Sequence, residues 1–180
     1  MNRRNFLVAA GLVGLGVEPA QGRKRKRKRV KDQAADGNGI HWNHDYVSIR
    51  VVGSLDLMHA TIEAVNRWKP NNAPILSVAV GGQGPVTVGE IKIWEEVLPG
   101  DTLGECWRDV NDRGIIRRAT IAVDPWSWNV TDQMVRVIAH ELGHAYGLGH
   151  SREPGSIMDA NSLDVSHPSP GDIARLNSRY

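Results

Sequence analysis

At 180 residues and a formal net charge of +2, the chain is the size of one domain with a single core. The small net charge hides an asymmetry: residues 1–31 hold ten Lys+Arg against one acid, whereas residues 32–180 hold 12 against 19, a net of −7, so a basic leader precedes an acidic body. The only cysteine, Cys106, excludes an intrachain disulfide and reads as a buried strand residue rather than a reactive thiol.

The leader comes first. Asn2-Arg3-Arg4-Asn5-Phe6-Leu7 resembles a twin-arginine export signal. The apolar run from Phe6 to Val17 is 12 residues, about 18 Å of helix against a hydrocarbon core of about 30 Å, so it suits a signal peptide and not a transmembrane span. Ala20-Gln21-Gly22 supplies small residues for cleavage after Gly22, and no cysteine stands there for lipidation. Residues 1–22 are thus expected to be an export signal, with the mature protein secreted or extracytoplasmic; the alternative is an apolar N-terminus on a cytosolic protein.

Arg23 to Arg29 alternate Arg and Lys, and Lys31 extends the tract. Like charges this close repel and keep the chain extended, so residues 23–39 read as a disordered spacer. The competing reading is a tether, through residues 23–31, for a polyanion such as a wall polymer, anionic lipid or nucleic acid. No aromatic residue interleaves the tract, so specific nucleic-acid recognition is not indicated.

Residues 40–180 read as the domain. Tyr46–Val52 alternates as a strand. A helix is expected from Leu55 to Trp68, with Met58, Ile62, Val65 and Trp68 or Lys69 on its apolar stripe and Pro70 ending it. Strands follow at Ile75–Val80 and Glu90–Val97. Gly104–Val110 and Ile115–Asp124 form a hairpin across Asn111-Asp112-Arg113-Gly114. A second helix is expected from Thr131 to Tyr146, capped by Thr131 or Asp132 and largely apolar through Met134, Val135, Val137, Ile138, Ala139 and Leu142. His41 and His44 have a spacing that could serve a second metal, without an obvious acidic or cysteine partner; His59 and His167 read as ordinary histidines.

The chemistry lies at the end of that second helix. His140-Glu141-Leu142-Gly143-His144-Ala145-Tyr146-Gly147-Leu148-Gly149-His150 has the pattern HExxHxxGxxH. His140 and His144, one turn apart on one helix face and roughly 6 Å apart along its axis, can meet one ion. Glu141 flanks that face, where a carboxylate reaches a metal-bound water without ligating the metal. Gly147 is expected to stop the helix in a left-handed conformation and let the chain return, bringing His150 in as third donor. Three neutral imidazoles leave a fourth tetrahedral position for water, the arrangement of a catalytic zinc.

These residues resemble the metzincins, and within them the matrixins. Ser151 follows His150, and Met158 stands eight residues beyond His150 in a stretch similar to the matrixin HS-x-x-PG-x-x-M. Pro170 to Leu176 is similar to the final helix of matrixin catalytic domains, and no tyrosine follows Met158. The resemblance implies an α+β metzincin fold: a mixed twisted sheet with two long helices, then a small irregular C-terminal subdomain with one helix. It implies His140, His144 and His150 as ligands of one catalytic Zn2+ and Glu141 as the catalytic general base. Gly147, Ser151 and Met158 are structural support, the methionine lying under the metal rather than on it. It also implies that Gly104–Val110 is an edge strand above the cleft, pairing with extended substrate.

The chain departs from that pattern in places. Asp159-Ala160-Asn161 replaces the Pro-x-Tyr segment that shapes the family's specificity pocket, so a pocket preference does not transfer. Aspartate-rich stretches for structural Ca2+ and a second zinc are not recognisable, and no PRCG-type cysteine switch precedes the domain. The expected function is hydrolysis of internal bonds in protein or peptide substrates through a zinc-bound water. The alternative is a surface polyanion-binding protein that uses the basic leader and keeps the zinc domain as a scaffold.

Overall fold

The computed structural model describes residues 28–31, 39–43, 47–68, 75–80, 84–125, 131–161 and 164–180. The expected export signal, the first residues of the cationic tract, most of the linker and His44 lie outside them. Among the described residues, seven strands form one sheet: β1 (Lys28–Lys31), β2 (His41–Trp42), β3 (Val47–Val52), β4 (Ile75–Val80), β5 (Glu90–Glu95), β6 (Gly104–Val110) and β7 (Ile115–Val123). Three helices accompany it: α1 (Leu55–Trp68), α2 (Thr131–Ala145) and α3 (Pro170–Asn177). The strand order is β1-β6-β7-β5-β3-β4, with β2 beside the start of β7. β4, β3, β5 and β7 run parallel, and β6 and β1 are antiparallel to their neighbours. This is the expected mixed sheet with two long helices and one short C-terminal helix.

The parallel pair β3 and β4 needs a crossover, and α1 supplies it. Ser54 Oγ accepts the Leu57 N–H at the start of that helix (3.1 Å). The buried stripe of α1 is Leu57, Ala60, Thr61, Ala64, Val65 and Trp68. Ile62, expected on the stripe, is 41% exposed. The small residues Ala60, Thr61 and Ala64 make up half of the buried stripe, and an apolar count scores them weakly. The β6–β7 hairpin is closed by Asn111, whose Oδ1 accepts from the N–H groups of Arg113 and Ile115, while Gly114 takes a φ of +80°.

Alternating residues of β3, Val47, Ile49 and Val51, face the core with Ile91 and Ile93 of β5 and Ile121 of β7. Cys106 of β6 is fully buried, as expected. Two indole N–H groups fasten α2 from either side: Trp68 Nε1 donates to Ala139 O (2.9 Å), and Trp42 Nε1 to Ala145 O (2.8 Å). These bonds fix the helix that carries the histidines.

Two expectations about the edge need correction. Lys28–Lys31, read as spacer, form a strand that pairs antiparallel with β6. β6 is therefore not the outermost strand. Its register with β1 runs from Val110 to Trp107, and Gly104, Glu105 and Cys106 lie outside it. The expected helix caps Thr131 and Asp132 both lie within α2.

Candidate metal centre

α2 presents His140 and His144 on one face, and the chain then reverses. Gly147 N–H donates to His144 O (2.8 Å) and Leu148 N–H to Gly143 O (3.0 Å), the paired bonds of a Schellman ending. Gly147 has a φ of +99°, and a Cβ there would strike the Ile40 carbonyl. Glycine is thus required twice over, by backbone conformation and by the close approach of the N-terminal segment. The reversal brings His150 back, as expected. Its ring centroid lies 5.3 Å from that of His140 and 4.7 Å from that of His144.

The donor atoms of the three rings all fall within 4.8 Å of one another. His140 Nδ1 donates to Ile157 O (2.7 Å), and His144 Nδ1 to Leu148 O (2.9 Å). Each carbonyl can only accept, so each ring carries its proton on Nδ1 and turns an Nε2 lone pair inward. The two Nε2 atoms stand 3.1 Å apart. Two lone pairs facing each other at that distance repel unless a cation lies between them. Tetrahedral zinc, with bonds of about 2.0–2.1 Å, holds its nitrogens about 3.3 Å apart. The donor set therefore suits zinc by number, softness and spacing.

Burial favours the neutral form of these rings, which is the ligating form. It pushes His140 down from 6.5 to about 4, with the neighbouring His150 and Arg136 charges adding to the effect. It lowers His144 well below the ordinary range, with His140 next in importance, and lowers His150 as well.

Glu141 is buried and lines a cavity of about 440 Å³ with His140, His150 and Gly104. A Cβ on Gly104 would lie 2.9 Å from Glu141 Oε1 and 2.7 Å from Val137 Cγ1, so β6 comes down directly onto the carboxylate.

The loop after His150 folds beneath the rings. Ser151 N–H donates to Met158 O (2.9 Å), and Ser151 Oγ accepts the Glu153 N–H (3.1 Å). Met158 is fully buried, and its Sδ lies against the Cα of Gly143, between the two helical histidines. Gly147, Ser151 and Met158, the residues expected as support, lie at the helix end, in the loop after His150 and against Gly143.

The sequence reading missed Asp172. This buried carboxylate accepts from Ser156 Oγ (2.6 Å), Ile157 N–H (2.9 Å), Ser169 N–H (2.9 Å) and Arg175 Nη2 (2.6 Å). Burial opposes its charge, yet these donors prevail and hold its pKa below the usual value. Asp172 thereby ties α3 to Ile157, whose carbonyl orients His140. Its sequence signal was the Ser169-Pro170-Gly171-Asp172 capping box.

The matrixin peptidase family, M10, matches residues 25–173. The chain belongs to the matrixin family. The family is one of zinc metallopeptidases, and the histidine cluster is where the family's ion would be held. No curated protein matches it at a significant level. Among solved structures it is similar to metalloproteinase-II from Bacteroides fragilis, at 12% identity and a TM-score of 0.44, over 74% of this chain and 52% of that one. This matrixin thus spans about half the length of that solved chain. Elsewhere, His41 Nδ1 hydrogen-bonds to Gly39 O, His59 and His167 are exposed, and among the described residues no second cluster of metal-binding side chains occurs.

Proposed function

We propose that this matrixin is a zinc-dependent endopeptidase in which Glu141 is the general base. The observation that carries the proposal is the convergence of two unprotonated Nε2 atoms at 3.1 Å, with a third imidazole and a buried carboxylate beside them. His140, His144 and His150 would hold the ion. Zinc bound there supplies Lewis acidity, polarising a carbonyl and acidifying water.

The protein's own groups do the rest. Glu141 accepts the proton of the attacking water and returns it to the departing amine. Gly104 leaves room for that carboxylate, and its strand offers backbone groups to an extended peptide at Gly104–Cys106, the part of β6 outside the β1 register. Asp172 and Ile157 O keep His140 turned inward.

The test is turnover of a general protein substrate by purified protein, with and without a chelator. The parent enzyme is expected to cleave and to lose activity on chelation. Glu141→Ala is expected to retain one zinc per chain and to lose at least about 100-fold in kcat. Parent-like cleavage by that variant, or by chelated protein, would refute the assignment. Export belongs to the same proposal and rests on residues 2–22; N-terminal sequencing of exported protein should begin near Arg23.

A further inference from the structure

We infer that Arg136 makes this enzyme select substrates that bring a carboxylate into the cavity beside the histidines. The inference deepens the peptidase reading and rests on it. Arg136 lies one turn before His140 on the same face of α2, and it lines the cavity that contains His140, Glu141 and His150. It also borders a neighbouring cavity of about 610 Å³, shared with Arg67 and Asp164. Arg136 therefore stands on the wall of the cavity beside the metal centre.

The residue is only 5% exposed, yet Nε and Nη2 have no hydrogen-bond partner. A buried cation without acceptors is costly, because it has given up water and gained nothing in exchange. Asp159 and Asp164 are near enough to favour its charge, but neither is bonded to it, and burial is the larger influence on it. Arginine stays protonated under such pressure and presents a planar fork of donors that matches a carboxylate. A substrate carboxylate entering the cavity would supply the negative partner that this desolvated guanidinium lacks, and charge-assisted hydrogen bonds are the strong ones. A neutral amide of the same size would offer an acceptor without the charge, and an aliphatic or cationic group would offer neither. Discrimination then arises from the penalty on wrong substrates as much as from attraction to right ones.

The carboxylate could come from an internal Asp or Glu side chain or from the end of a peptide chain. Both share the chemistry, and the experiment separates them. Peptides identical except for Glu, Gln, Leu or Lys at each position within three residues of the cut bond would be compared in kcat/KM, as free acids and as C-terminal amides. The parent should favour Glu over Gln at one position by about 10- to 100-fold, the discrimination one charge-assisted hydrogen bond supplies. If the preference survives amidation, the side chain supplies the carboxylate; if amidation abolishes it, the chain end does. Arg136→Gln should bring the ratio close to one, and Arg136→Glu should turn it toward Lys. No acid preference in the parent, or an equal one in Arg136→Gln, overturns the inference.

A binding measurement separates this from the reaction itself. Zinc-loaded Glu141→Gln protein should bind a fluorescent Glu peptide at least about tenfold more tightly than its Gln counterpart. That result with no cleavage by the parent would sink the peptidase reading and leave the carboxylate site standing. Equal binding would sink the site even where cleavage is found.

Discussion

Asp172 shows how much of the centre depends on a residue that never reaches it. Its carboxylate accepts from two backbone N–H groups, a hydroxyl and a guanidinium, and one of those N–H groups belongs to the residue whose carbonyl aims His140. Asp172→Ala would leave the Ile157 N–H and the Ser156 hydroxyl short of an acceptor in the interior and take the carboxylate from Arg175. We expect a loss of about 3 kcal/mol in urea unfolding, the usual cost of removing one partner from a buried charge pair. Zinc affinity should fall about tenfold by competition with a chromogenic chelator, as for other groups that orient a ligand. An unfolded His140 takes up a proton near 6.5, whereas the folded ring resists until about 4. Between those values the unfolded chain binds more protons, so metal-free protein should lose stability as pH falls from 6.5 to 4, with no further loss from this group below that. Thermal melts of chelated protein across that range check the sign; in His140→Gln the dependence should shrink.

The element that organises everything is α2, and its neighbours are shaped to its glycines. Met158 needs the bare Cα of Gly143, and the Ile40 carbonyl needs that of Gly147. Gly147→Ala would combine a left-handed alanine with a backbone collision. We expect it to cost about 2 kcal/mol of stability and to weaken zinc retention through His150, read by unfolding and by metal content after dialysis. The sequence made this element plain because its pattern is local: the ligand spacing, the stopping glycine and the serine and methionine downstream all follow within one stretch. Less legible were relations between distant segments. Arg136 carries no signal in the sequence, because only the packed structure shows that its Nε and Nη2 lack acceptors. The α1 stripe was misplaced at Ile62 because the buried face includes Ala60, Thr61 and Ala64, which periodicity scores weakly. Residues 28–31 looked incapable of structure on charge alone, yet strand pairing uses backbone groups and is indifferent to side-chain sign.

At the scale of the whole molecule, that last strand alters how the sheet ends. β1 contributes four residues, three of them Lys or Arg, to the flank that β6 would otherwise present. Short, cation-rich outer strands discourage sheets from joining edge to edge. Cleavage after Gly22 would leave this guard in place, whereas a cut past Lys31 would remove it. Protein lacking residues 1–31 should therefore grow in mass with concentration by light scattering, while the chain from Arg23 stays at constant mass; identical behaviour of the two would deny β1 this part. A trypsin-like nick in the cationic run would then do more than trim a tail, since it would bare a border onto which a second copy could zip.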